Sequence, residues 1–176
     1  MTIEYPYKRI LVTGGCGFIG SSYIQNILRY YDDIEVQNID LMTYATSKKT
    51  LELLTAYKNF SHLTLDISKF LEIEGAINSF GPDLIVNFAA ESHVDNSIEG
   101  ALPFMSTNIL GVFNLLEISK NLISHSDKKF LFHQISTDEV FGDLDLEEPA
   151  FTEAHPYDPS SPYSASKASA DILVSA

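Results

Sequence analysis

Residues 9–20, RILVTGGCGFIG, restrict the fold more than any other stretch of the chain. A β-branched and apolar run, RILVT, reaches a cluster of glycines and passes at once into SSYIQNILRYY, which has helical apolar spacing. The cluster contains Gly15-x-Gly17-x-x-Gly20 and also the wider Gly14-x-x-Gly17-x-x-Gly20. A glycine pattern by itself marks only a tight turn. Between a strand and a helix it has a second use, because bare backbone can approach a diphosphate and the helix N-terminus offers free N–H groups.

The rest of the chain repeats the alternation. Strand-like runs are expected at 9–13, 36–40, 62–67, 83–90 and 129–136, and helical spacing at 48–57, 70–80, 103–124 and from Tyr163 onward. Gly81-Pro82 ends the third helical stretch. The strands are continuously apolar rather than alternating, which argues for a parallel sheet covered by helices on both faces. The predicted fold class is therefore α/β, a Rossmann-type doubly wound sheet. One long irregular stretch, 143–162, is acidic and proline-rich, and its length suits a lid over a site.

Strand two ends in Asp40, about twenty residues past the glycines, where this fold places the acid that hydrogen-bonds a ribose 2′-hydroxyl. A carboxylate there repels a 2′-phosphate, so NAD is expected rather than NADP. Asp66, at the end of strand three, suits either an adenine edge or a surface turn. The net charge of −13 opposes binding to nucleic acid or anionic lipid, so an anion must be held by local dipoles. No apolar run is long enough to span a bilayer, and MTIEYPYKRI lacks the layout of a signal peptide. The one cysteine, Cys16, cannot form an internal disulfide, which fits a reducing cytoplasm.

Tyr163 and Lys167 stand four apart at the start of the last helix, on one face. A phenol with a pKa near 10 becomes a usable base only beside positive charge. Lys167 and a nicotinamide ring would supply it. Residues 136–139, STDE, place two adjacent carboxylates where strand five ends. Such a pair either sits harmlessly in solvent or serves a reaction that needs a proton removed and another delivered at one spot. Consecutive strand residues face opposite ways, so the backbone must turn by Asp138 if both are to act together. Ser92, His93 and Asp95 lie too close in sequence to assemble a hydrolase triad. The five histidines show no metal-ligand spacing, so no metal is expected.

VTGGCGFIG, NFAAESHVDNSI, STDEVFGDL and PSSPYSASKASAD together closely resemble the dTDP-glucose 4,6-dehydratases, which belong to the extended short-chain dehydrogenase/reductase superfamily. The resemblance covers essentially the whole chain. It implies a lyase of nucleotide-sugar metabolism that uses NAD to convert dTDP-glucose to its 4-keto-6-deoxy product. It makes Glu139 the base at C5 and Asp138 the acid for the C6 oxygen, with Thr137 bonded to the sugar beside Tyr163. It also implies cofactor roles for Gly14, Gly17, Phe18, Ile19 and Gly20 at the diphosphate. Asp40, Leu41, Met42 and Thr43 would surround the ribose, and Asp66 and Ile67 the adenine. Phe88, Ala89, Ala90, Glu91, Ser92, Thr107, Tyr163 and Lys167 would line the nicotinamide half, with Ser92 also touching substrate. Cys16, Phe88 and Phe141 depart from the family pattern, which has alanine, leucine and tyrosine there.

Family members continue for about as long again, so residues 1–176 are expected to be an NAD-binding domain without the part that grips the nucleotide-sugar. A homodimer is expected of a longer form, because the last helix helps build that interface. UDP-glucose is the rival substrate, and an NAD-binding chain without turnover is the rival to an enzyme.

Overall fold

The computed structural model describes residues 5–124, 129–145 and 147–176. The N-terminal residues 1–4 and residue 146 of the 143–162 segment lie outside that range. Five parallel strands form one sheet in the order β3-β2-β1-β4-β5. They are β1 (Arg9–Thr13), β2 (Glu35–Ile39), β3 (Phe60–Leu63), β4 (Leu84–Asn87) and β5 (Leu131–Gln134). Ile10 pairs with Val36 on one side and with Leu84 on the other, so β1 is central and the strand order reverses beside it. That reversal opens a crevice at the carboxyl ends of β1 and β4, where ligands of doubly wound sheets sit.

Side-chain alternation along the strands sorts the apolar residues onto two faces. On one, Ile10, Val12, Val36, Leu84 and Val86 pack with Ile24, Ile27 and Leu28 of α1 (Phe18–Tyr30) and with Leu54 of α2 (Lys48–Leu54). On the other, Leu11, Ile39 and Ile85 pack with Ile73 and Ile77 of α3 (Phe70–Phe80) and with Leu115 and Ile118 of α6 (Val112–Ser124). α3 stops at Gly81, whose φ of +59° lets its N–H close onto the Ile77 carbonyl at 2.8 Å. α7 (Pro162–Ser175) begins in a capping box, with Ser161 and Ser164 exchanging side-chain-to-backbone bonds of 3.0 Å. No helix among the described residues is long and apolar enough to cross a membrane.

Three expectations need correction. β3 spans Phe60–Leu63 rather than 62–67, because its pairing with β2 ends where Leu63 meets Ile39. Asp66 therefore lies in the loop beyond the strand. The helix expected over 103–124 is broken into α5 (Leu102–Phe104), a π-helical turn over Met105–Gly111, and α6. A short helix, α4 (Val94–Glu99), precedes them in a stretch assigned no element from sequence. The π turn brings Gly111 so close to Ile67 that a β-carbon on it would sit 2.6 Å from that side chain. Asn114 holds the Ile67 carbonyl at 2.9 Å from the same side.

Candidate active site

The glycine turn is held by β2 as well as by its own backbone. Gly14 N–H donates to the Ile39 carbonyl at 2.9 Å, Gly15 N–H to Asn38 Oδ1 at 2.9 Å, and Cys16 N–H to Asp40 Oδ2 at 2.8 Å. Gly14 has φ of +69°, and a β-carbon there would lie 2.6 Å from the backbone nitrogen of Ala89. Only glycine fits between the two loops. The N-cap of α1 is Gly17, so no side chain caps the helix, and Phe18 stands 93% exposed at its first turn. The helix therefore presents free N–H groups and the positive end of its dipole to the crevice. Such an end suits a diphosphate.

The crevice is a cleft of about 370 Å3. Gly14, Gly17, Phe18, Ile19 and Gly20 line it at the turn, and Asp40, Leu41, Thr43, Asp66 and Ile67 line one end. Phe88, Ala89, Ala90, Glu91, Ser92, Thr107, Tyr163 and Lys167 line the other. Met42 is the exception among the cofactor residues expected from sequence. Its backbone takes a left-handed φ of +58° and turns its N–H onto Asp40 Oδ1 at 2.8 Å, so it braces the carboxylate without lining the cleft. Asp40 is buried with both oxygens bonded to backbone, which fixes its direction. Ile39, Ala45, Thr46, Leu65, Ile135 and Ser136 complete the lining. Burial pushes the Cys16 thiol up to about 11, helped by the Asp40 charge, so this cysteine is an inert filler of the turn.

Tyr163 and Lys167 are both buried on the cleft side of α7. Lys167 Nζ donates to the Ile135 carbonyl at 2.5 Å. Burial lowers its pKa, and the Asp171 carboxylate one turn on works in the opposite direction. The electrostatics of Tyr163 differ from the sequence expectation. Burial raises the phenol, a hydrogen bond with Thr137 lowers it, and the Glu139 and Asp138 carboxylates raise it again. The Lys167 ammonium is directed at Ile135, and the protein's own groups on balance favour the neutral phenol.

Thr137 starts a 3-10 turn over Asp138–Phe141 and accepts from Glu139 N–H at 3.3 Å. The backbone has therefore left the strand before Asp138, as simultaneous use of both carboxylates requires. Asp138 and Glu139 are exposed and act on Tyr163 through their charge. They stand beside the cleft lining rather than in it. The segment after them is pinned at its base, where Asp158 N–H donates to the Val140 carbonyl at 3.0 Å and Phe141 stacks near Phe151 and Tyr157.

Asn108, which sequence reasoning missed, joins the parts. It is 2% exposed, accepts from Glu91 N–H at 2.9 Å, and donates to the Glu91 carbonyl at 2.9 Å and to Ser166 Oγ at 2.8 Å. A buried amide inside an apolar helical pattern was the available signal, since such a group needs partners. Asp171, half-buried on α7, was also missed. Its Oδ2 accepts from Ser136, in a short bond, and from Tyr157 at 3.4 Å.

Comparison with known proteins gives a consistent picture. The family model described as GDP-mannose 4,6 dehydratase matches residues 11–176. A dTDP-glucose 4,6-dehydratase of Haemophilus influenzae is 48% identical over 171 residues, which are 95% of this chain and 50% of the relative. The chain thus spans about half the length of the curated relatives it matches. A crystal structure of the Bacillus anthracis dTDP-glucose 4,6-dehydratase in complex with NAD superposes with a TM-score of 0.82 at 36% identity, covering 94% of this chain and 49% of that one. The UDP-Glc/GlcNAc 4-epimerase of Campylobacter jejuni superposes with a TM-score of 0.84 at 27% identity, covering 96% of this chain and 48% of that one.

Proposed function

Since the chain belongs to the family that the GDP-mannose 4,6 dehydratase model describes, we propose that it is the NAD-binding domain of a nucleotide-sugar 4,6-dehydratase acting on dTDP-glucose. The observation that carries this reading is the Thr137–Asp138–Glu139 turn set against Tyr163 at one end of the cleft. An epimerase needs only the tyrosine and a hydride acceptor. Two further carboxylates at the same place suit the removal of water between neighbouring carbons.

The division of labour is the one implied by the resemblance to the dTDP-glucose 4,6-dehydratases. The α1 N-terminus and the glycine turn hold the diphosphate, and Asp40 accepts from the ribose hydroxyls. NAD, when bound, supplies the acceptor that takes hydride from C4 of the sugar and returns it to C6, and its positive ring favours the phenolate. Tyr163 takes the C4 hydroxyl proton as that carbon becomes a ketone, with Thr137 holding the oxygen. The ketone acidifies the C5 proton, which Glu139 removes, and a proton is returned to C5 when hydride reaches C6. Asp138 gives a proton to the C6 oxygen, which leaves as water. Lys167 anchors the helix start to the Ile135 carbonyl, one turn from Tyr163. The nucleotide-sugar is the small-molecule partner, and the reaction belongs in the cytoplasm, where such sugars are made.

The test is incubation with NAD and dTDP-glucose, with UDP-glucose alongside, following loss of one water by mass spectrometry. Deuterium placed at C4 is expected at C6 of the product. Sugar recovered with its water and with inverted C4 would replace the dehydratase reading with an epimerase.

A further inference from the structure

Two loops flank the cleft from opposite sides. Residues 40–47 follow β2, and Asp40, Leu41, Thr43, Ala45 and Thr46 of that loop line one end; residues 88–93 follow β4, and 88–92 line the Tyr163 end. One side chain joins them across the outside. Tyr44 Oη donates to Glu91 Oε2 at 3.2 Å. The Tyr44 ring also lies 6.1 Å from the imidazole of His93.

Both ends of this bridge are anchored. Glu91 is fixed through its backbone to buried Asn108. The other loop is tied to the glycine turn by Ser47 N–H on the Cys16 carbonyl at 3.4 Å. Thr43 and Ala45 face the cleft, whereas Tyr44 between them is 63% exposed and does not line it. Core packing does not account for a tyrosine in that place. The bridge therefore links the loop that carries Asp40 to the loop that carries Glu91, and both loops contribute to the cleft lining.

We propose that Tyr44 is a latch residue, which clasps the β2 loop to the β4 loop over the dinucleotide and sets how fast it enters and leaves without touching it. This rests on the reading that a dinucleotide fills the cleft. The latch bond connects protein to protein, so breaking it eases passage in both directions and leaves the contacts to the ligand in place.

The test is stopped-flow measurement of NADH association, and of its displacement by excess NAD, for the parent protein and for Tyr44→Phe. The variant keeps the ring and loses the bond of the hydroxyl to Glu91. One bond to a charged group is worth about ten-fold, less when exposed, so both rates are expected to rise about five-fold with the Kd changed less than about two-fold. Rates equal to the parent's would overturn the latch. Faster release with unchanged association would also overturn it, since Tyr44 would then be holding the ligand directly. A parent protein that binds no dinucleotide would remove the cofactor reading as well, an outcome distinct from the other two.

Discussion

Asn108 Nδ2 donates to Ser166 Oγ at 2.8 Å, and Ser166 Oγ donates in turn to the Tyr163 carbonyl at 2.6 Å. This pair ties the π-helical turn to the first turn of α7. Through the bonds of Asn108 to Glu91, it also ties α7 to the loop after β4. π-Helical turns concentrate at functional sites because the extra residue redirects a side chain. Here the redirected side chain is an amide that satisfies three groups at once.

Asn108→Ala should therefore destabilise the fold and loosen the site together. It strands the Glu91 N–H and carbonyl and removes a partner from Ser166. Each buried group left unpaired costs about 1–3 kcal/mol, so a loss of about 3 kcal/mol is expected in urea unfolding. An unfolding midpoint equal to the parent's would show that water serves these groups equally well.

Gly14→Ala tests the close approach of the two cleft loops. The residue's φ of +69° is strained for alanine, by about 1–2 kcal/mol. The added carbon would also lie 2.6–2.8 Å from backbone atoms of Phe88 and Ala89, which cannot swing aside like a side chain. Loss of dinucleotide binding in calorimetry, with a lower melting temperature, is the expected result. Retained affinity would mean that the β4 loop is free to retreat.

What could be read from sequence was what is local. The β1–turn–α1 unit is written in glycine spacing, and Gly81 announces the end of α3 by its position after an apolar helix. The STDE turn was legible because paired acids at a strand end conflict with burial. The π turn was not, since Met105–Gly111 keeps the apolar spacing of one long helix and differs only in which carbonyl each N–H meets. β3 was misplaced for a similar reason. Its end is decided by where β2 stops pairing, at Ile39, and not by the residues of 62–67 themselves. Asn108–Ser166 and Tyr44–Glu91 join residues 58 and 47 positions apart, beyond the reach of any periodicity. The sign of the effects on Tyr163 was hidden too, because it depends on the direction in which Lys167 points.

Lys167 should make stability pH-dependent in a stated direction. Its folded pKa lies below the ordinary 10.5, chiefly through burial. Between those two values the unfolded chain binds more protons, so its contribution to stability rises with pH across that window. Lys167→Met removes the titration. The stability of the parent relative to this variant should be lowest near neutral pH and improve as pH climbs toward 10.5. Paired urea titrations across that range check it, and a constant difference would mean the ammonium is as comfortable folded as unfolded.

Glu139→Gln separates the two halves of the proposed chemistry. Glu139 and Asp138 both act on Tyr163 through their charge, but the glutamine keeps the shape of the side chain and the backbone bond from Glu139 N–H to Thr137. Dinucleotide affinity should be unchanged. Hydride removal from C4 depends on Tyr163, so reduced cofactor should still appear on mixing with dTDP-glucose, seen by its absorbance. Removal of the C5 proton depends on the missing base, and its loss typically costs 10²–10⁴-fold in rate, so water release should fall by about that factor. Exchange of the C5 proton with solvent deuterium should slow in step, because that exchange reports the same base. Full turnover in this variant would move the base to another residue of the turn, and Asp138, the next carboxylate beside Tyr163, would be the one to change next.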